Sequence, residues 1–187
     1  MSSVVVAASA LRRPPGTGWS AAPQDQLAHN WYMVTPDVFI ASTEHSGVVG
    51  RLLCEFNAEF ETPGPTAAEF AARFNFLLDR ADVLVLLAGA PLAPAGFAFL
   101  TLRPTPYYDG SLAQLEELYV QSHLRGQGIG TALMTTAVHE ARNRGGAEMH
   151  INVDEVDTDT RRFYERHGFT NLQPGADYRI LCYLREL

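Results

Sequence analysis

The sequence has few cysteines and no long hydrophobic run, and both shortages narrow the class of protein. Its two cysteines, Cys54 and Cys182, are too few for a disulfide framework, so we expect reduced thiols and a cytoplasmic location. The apolar run at residues 4–8 is short and no basic segment precedes it, which argues against a secretion signal. No segment approaches the roughly twenty apolar residues that cross a bilayer, so we expect no membrane partner.

Positive charge and metal-ligand patterns are also scarce. Fourteen basic residues against 21 acidic ones give a formal net charge of −7. This balance argues against a nucleic-acid partner and is compatible with cationic small substrates. The six histidines show no ligand spacing such as His-x-x-x-His on one helix, so we predict no metal site.

What is present is a regular succession of apolar patterns in a chain of 187 residues, a length typical of one domain. The order predicted from Asp37 onward is β-α-α-β-β-β-α-β-α-β, with strands at residues 149–154 and 178–184 near the end. A capping box at residues 66–69 predicts the start of the second helix. We expect residues 1–35 to form a partly flexible N-terminal extension and residues 36–187 to form the folded domain.

The segment 115–134 passes from a β-type run through three closely spaced glycines into a helical pattern. The first N–H groups of a helix have no partner inside it and lie at its positive end, so a bound anion would meet several donors. Glycines at 126, 128 and 130 let the backbone approach that anion closely. The pattern predicts a phosphate-binding turn, and a tight strand-to-helix turn without a ligand is the alternative.

Spacing distinguishes the phosphate-binding patterns. A P-loop requires a lysine after its last glycine, and none follows Gly130. The glycine spacing also differs from the Gly-x-Gly-x-x-Gly of dinucleotide-binding folds. The remaining pattern, Arg-x-x-Gly-x-Gly at residues 125–130, resembles the acyl-CoA signature of the GNAT family of N-acetyltransferases. Downstream, Phe-Tyr-x-x-x-Gly-Phe at residues 163–169 resembles the last conserved helix of that family.

The resemblance implies a fold and an activity. The fold is α/β, a mixed twisted sheet with helices on both faces, in which the strands before the glycine turn and before the last helix splay apart. The activity is direct transfer of the acetyl group of acetyl-CoA to a primary amine of a small molecule, in a ternary complex. Residues 115–117, 120–125 and 149–150 are most similar to the diamine and polyamine acetyltransferases, so a polyamine or similar acceptor is implied. Many relatives are dimers, which implies a homodimer.

The resemblance also implies three sets of acetyl-CoA contacts, at the thioester, at the diphosphate and along the pantetheine and adenine. The first set is Leu118, Tyr119 and Val120, the second is Arg125, Gly126, Gln127, Gly128, Ile129, Gly130 and Thr131, and the third is His150, Ile151, Asn152, Asp157, Thr158 and Asp159.

Catalysis by such an enzyme needs a proton acceptor and a proton donor. A free alkylamine has a pKa of about 10, so a carboxylate or ordered water must take a proton from it. The resemblance to the polyamine branch implies that Glu116 is the water-linked base or the amine-binding carboxylate, with Glu117 as the second candidate. Either could instead be a solvated or helix-paired carboxylate. By the resemblance Tyr164 donates a proton to the CoA thiolate, and the alternative is a core aromatic whose hydroxyl bonds a carbonyl.

One departure from the family pattern and two alternative functions stay open. The family commonly has Asn where Asp157 stands. The alternative for this carboxylate is therefore that it caps the N-terminus of the last helix without contacting CoA. No activating base is close in sequence to Cys182, which argues against an acyl-enzyme on it. The alternatives are an acyl-CoA-binding regulatory module without turnover and an acetyltransferase of protein lysines or N-termini.

Overall fold

The computed structural model describes residues 36–173 and 175–185 of the chain. The predicted N-terminal extension, residues 1–35, lies outside the described residues. Within the described part there are five strands and four α-helices: β1 Val38–Ile40, α1 Ser46–Glu59, α2 Ala67–Leu77, β2 Val83–Ala90, β3 Ala93–Pro104, β4 Ser111–Val120, α3 Ile129–Asn143, β5 Gly146–Ile151 and α4 Thr158–Arg166. None of these helices combines the length and the hydropathy that a bilayer span requires.

The five strands form one sheet in the order β1-β2-β3-β4-β5. Strands β1 to β4 are antiparallel neighbours, and β5 runs parallel to β4. Helix α3 supplies the crossover that a parallel pair requires. The mixed sheet predicted from the sequence is confirmed.

Helices cover both faces of the sheet and bury two separate cores. Helices α1 and α2 pack on one face, and α3 and α4 pack on the other. The first core contains Val49, Leu52, Leu53, Phe56, Phe70, Phe74, Val83, Val85, Leu87, Phe97 and Tyr119. The second core contains Leu84, Leu86, Ala98, Leu100, Leu115, Leu118, Val120, Ile129, Leu133, Met134, Ala137, Phe163 and Tyr164.

A helix cap fixes the start of α2, and a close backbone contact fixes the position of α2 against α1. Thr66 and Glu69 form the predicted capping box: the Glu69 N–H donates to the Thr66 hydroxyl, and the Thr66 N–H donates to the Glu69 carboxylate. Glycine at position 50 lets the two helices touch, because a Cβ there would lie 2.6 Å from the Ala71 amide nitrogen.

Two predicted strands differ from the structure. The strand expected at residues 149–154 occupies Gly146–Ile151, because residues 152–154 extend beyond the part of β4 that pairs with it. The expectation of a strand at residues 178–184 is wrong. That segment makes one isolated bridge, Leu172 with Arg179, and its apolar side chains are exposed. An apolar run becomes a strand only where a neighbouring backbone pairs with it, and here the pairing stops after one bridge.

Candidate functional site

Strand β4 pairs with β5 over only half of its length. The parallel pairing runs from Ser111 to Leu115, opposite Gly146 to Ile151. Residues 117–120 pair with β3 alone in the part of the chain that the structure describes. The expected splay between the two strands is therefore confirmed, and it leaves backbone groups of β4 available to a ligand.

A β-bulge lies where the splay begins. Phe99 of β3 is opposite Glu117, and the next residue, Leu100, is opposite Leu115, so Glu116 is the extra residue of β4. The usual alternation of faces is broken at this position. Glu116 and Glu117 directly follow Leu115, the last residue of β4 that pairs with β5, so both lie at the edge of the gap between the two strands.

The two carboxyl groups have different surroundings. The Thr101 hydroxyl donates a hydrogen bond of 2.5 Å to Glu116, which fixes that side chain against β3. Burial, and next the nearby charge of Glu116, raise the pKa of Glu117 from its ordinary 4.5 to about 8. Glu117 therefore stays mainly protonated at neutral pH and titrates at mildly alkaline pH.

The Tyr164 hydroxyl is buried, and within the described residues it has no hydrogen-bond partner. Helix α4 carries this side chain into the second core, where it is 2% exposed. Burial raises its pKa well above the ordinary value of 10, and the charges of Glu117 and Asp157 add to the shift. The phenol therefore keeps its proton, and a buried hydroxyl of this kind is a candidate to bond a ligand atom.

The glycine turn has the geometry of an anion site. Gly126 and Gly128 have positive φ angles of 75° and 83°, which few residues other than glycine adopt. Helix α3 begins at Ile129, and its first backbone bond runs from the Ala132 N–H to the Gly128 carbonyl. The N–H groups of residues 129–131 thus have no acceptor within the helix. A Cβ at either positive-φ glycine would meet no heavy atom within 4 Å, so the backbone of the turn is accessible.

Arg125 does not face this turn. Its Nη1 and Nη2 donate to the two carboxylate oxygens of Glu59 on α1, at 2.7 and 2.6 Å, and its Nε donates to the Val120 carbonyl at 2.9 Å. The guanidinium also lies 5.8 Å from the centre of the Tyr119 ring. The expected guanidinium contact with a diphosphate therefore has no support in this arrangement.

The remaining predicted contacts lie in the second half of β5 and at the start of α4. His150 on β5 is half exposed and is hydrogen-bonded to Glu148 at 2.6 Å. Asp157 is the N-cap of α4, since its carboxylate accepts bonds from the N–H and the hydroxyl of Thr160. The capping role proposed for this carboxylate is confirmed. The other residues of the third set, Ile151, Asn152, Thr158 and Asp159, lie at the end of β5 and the start of α4.

Several residues near the site were not found from the sequence. Glu59 holds Arg125, and one helical turn earlier Glu55 accepts a hydrogen bond of 2.9 Å from Gln121. Each of these partners lies 66 positions away in sequence, so no local pattern predicts the contact. In the part of the chain that the structure describes, no group of three or more His, Cys, Asp and Glu side chains is placed to hold a metal ion.

Comparison with known proteins agrees with this arrangement. The model of a family described as the acetyltransferase (GNAT) family matches residues 49–169. Aminoglycoside N(6')-acetyltransferase type 1 of Klebsiella aerogenes is 38% identical over 106 residues, which are 55% of this chain and 66% of that protein. The aligned part thus spans just under two thirds of that relative.

Solved structures share the fold. A protein of Arthrobacter sp. FB24, solved as a candidate acetyltransferase, is 42% identical, with a TM-score of 0.76 over 88% of this chain and 100% of that one. An aminoglycoside acetyltransferase from an uncultured soil metagenomic sample, solved with sisomicin, is 20% identical, with a TM-score of 0.67 over 82% of this chain and 97% of that one. At this identity the second likeness concerns the fold alone.

Proposed function

Because the chain belongs to the GNAT family of acetyltransferases, we propose that it transfers the acetyl group of acetyl-CoA to a primary amine of a small cationic molecule. The observation that carries this proposal is the placement of Glu117 beside Tyr164, whose buried hydroxyl has no hydrogen-bond partner within the described residues. The two lie at one strand gap, beside a glycine turn that opens a helix.

The residues of the site fit acetyl-CoA. The amides of residues 126–131, at the positive end of α3, would bind the diphosphate without a side-chain cation. The backbone of Leu118 and the Val120 N–H, which face away from β3, would bind the pantetheine amides and polarise the thioester oxygen. When bound, acetyl-CoA supplies an activated acetyl group and a thiolate leaving group.

Glu117 is our candidate for the base. The acceptor amine enters with a pKa of about 10, so a carboxylate of ordinary pKa accepts its proton poorly. A pKa of about 8 brings Glu117 much closer to the amine. We assign Glu116, held by Thr101, to binding a cationic group of the acceptor rather than to proton transfer.

Tyr164 is our candidate for the acid. As the nitrogen bonds to the acetyl carbon, the carbon–sulfur bond breaks and its electron pair leaves with the sulfur. The Tyr164 hydroxyl donates its proton to that sulfur and regains one from the attacking nitrogen. The products are an amide and a neutral thiol, and the proton first removed from the ammonium leaves through Glu117.

The acceptor is a small molecule with more than one amino group. A formal net charge of −7 favours cations, and Glu116 at the gap offers a carboxylate to one of their amino groups. The match to an aminoglycoside acetyltransferase supports an aminoglycoside-like acceptor, and the resemblance of residues 115–125 to polyamine acetyltransferases supports a linear polyamine. Both belong to the same chemical class.

The test is release of free thiol from acetyl-CoA by the purified full chain, with aminoglycosides, linear polyamines, amino acids and peptides as separate acceptors. The sequence has no lysine, so self-acetylation on side-chain amines cannot imitate turnover. We expect turnover with at least one polyamino acceptor. Binding of CoA without turnover on any amine would favour a regulatory module, and turnover on peptides alone would favour a protein acetyltransferase.

A further inference from the structure

We propose, building on acetyl-CoA binding at the glycine turn, that Glu59 of helix α1 is a positioning residue that sets the affinity for CoA through Arg125, without touching CoA. Its carboxylate holds the Arg125 guanidinium by two parallel hydrogen bonds of 2.7 and 2.6 Å. Arg125 directly precedes Gly126, so the pair fixes the point at which the chain enters the turn.

The pair joins a buried guanidinium to a carboxylate at the surface, and its two-point geometry makes it a fixed contact. The Arg125 side chain is 6% exposed and that of Glu59 is 28% exposed. A two-point carboxylate–guanidinium contact restricts distance and orientation together. Loss of Glu59 leaves the buried Arg125 guanidinium without its counter-charge, so the guanidinium would have to move.

The glycine turn itself contributes little to its own placement. A Cβ added at Gly126 or Gly128 would meet no heavy atom of the described residues within 4 Å, so these two positions are not packed against them. Its position depends on the two ends, which are Arg125 in the layer of α1 and Ile129 in the core of α3. The Glu59–Arg125 pair is thus one of two anchors for the amides that would bind the diphosphate.

A second contact joins the same two elements. Gln121 Nε2 donates to the Glu55 carboxylate at 2.9 Å, one helical turn before Glu59. Helix α1 therefore holds both ends of the segment 121–125, which links β4 to the glycine turn. The two contacts together couple the placement of α1 to the placement of the diphosphate site.

This arrangement differs testably from a direct phosphate contact by Arg125. If the guanidinium bound phosphate, removing Glu59 would free a cation and leave the affinity for CoA unchanged or tighter. If Glu59 acts by positioning, Glu59→Gln weakens CoA about tenfold, as expected for loss of a charge-assisted hydrogen bond. The double variant Glu59→Gln, Arg125→Gln should then be no weaker than the weaker of the two single variants.

The experiment is calorimetric titration of the full chain and its variants with CoA. Glu61→Gln is the matched control, since it removes the same charge two residues later in the same segment. Glu59→Asp keeps the charge but shortens the reach, so we expect a smaller loss, and it serves if Glu59→Gln fails to fold. Hydrogen exchange without CoA should speed up over residues 121–131 in the Glu59 variants and not in the control.

The outcomes are distinguishable. Unchanged or tighter binding of CoA by folded Glu59 variants overturns the positioning role and leaves the proposed function intact. A parent protein that does not bind CoA overturns both. Weaker binding with faster exchange confined to residues 121–131 supports the pair as the anchor.

Discussion

The carboxyl group of Glu117 lies close enough to Tyr164 for its charge to raise the pKa of the phenol. One group is on β4 and the other on α4, and they meet where β4 separates from β5. Both are held in their protonated forms by burial at neutral pH. The proposed transfer requires the ionised form of Glu117, which becomes the main form above about pH 8, together with the protonated form of Tyr164.

Tyr164→Phe should separate stability from activity. The variant removes a buried hydroxyl that has no partner among the described residues, so the free energy of unfolding should stay the same or rise by about 1 kcal/mol. Turnover should fall about 100-fold, with an unchanged Kd for CoA, because the proton donor is lost. Tyr178→Phe, on an exposed tyrosine, is the control. Unchanged turnover in Tyr164→Phe would rule out proton donation by this residue.

Glu117 should give the stability an unusual dependence on pH. Its pKa is about 8 in the folded chain against an ordinary 4.5, so between these values the folded state keeps a proton that the unfolded state releases. Raising the pH across this window therefore favours unfolding, by up to about 1.4 kcal/mol per pH unit. Denaturant unfolding of the parent and of Glu117→Gln should show a stability difference that falls from about pH 5 to about pH 8 and is constant above it. A difference independent of pH would contradict the raised pKa.

Gly50→Ala and Gly47→Ala should have opposite effects although both lie in α1. A Cβ at position 50 would lie 2.6 Å from the Ala71 nitrogen and 2.7 Å from the Ala67 oxygen, which forces α1 and α2 apart. We expect a loss of about 1–3 kcal/mol. At position 47 a Cβ meets nothing within 4 Å, so alanine should stabilise the helix by about 0.5–1 kcal/mol. Urea unfolding midpoints measure both, and equal shifts would contradict the close approach.

Glu61→Gly should stabilise the chain. Glu61 follows α1 with a positive φ of 52°, in a helix end where its N–H donates to the Ala58 carbonyl and the Thr62 N–H donates to the Asn57 carbonyl. Glycine is the residue that this position usually carries, so the gain should be about 0.5–1 kcal/mol. Glu61→Ala keeps the Cβ and should show no such gain, measured by thermal unfolding. A loss of stability in the glycine variant would show that the glutamate side chain contributes more than the strain costs.

Local patterns predicted most of the fold. The capping box at Thr66 and the cap at Asp157 are formed by neighbours in sequence, so residue types and spacing were enough to place both helix starts. The glycine turn could likewise be predicted from the sequence, because positive φ angles and a helix start are local properties. The strand predicted at residues 178–184 does not form, because a strand depends on a partner backbone that a local apolar run does not reveal.

The candidate site was predictable only in part. Tyr164 and the two glutamates were named from a motif, but alternation along β4 could not show the bulge that gives Glu116 and Glu117 different surroundings. The direction of the long Arg125 side chain depends on Glu59, a partner far away in sequence. Motifs give the chemistry that a segment can offer, whereas tertiary contacts decide which side chains turn toward the ligand.

The bulge makes Glu116 the one residue of β4 that the pairing with β3 does not use. Leu115 and Leu118 lie in the same core although an odd number of positions separates them. A chain shortened by Glu116 would keep both leucines buried and would pair with β3 without interruption. The pairing of β4 with β3 therefore does not depend on the bulge, and what the bulge adds is the Glu116 carboxyl group beside Glu117, at the point where β4 separates from β5.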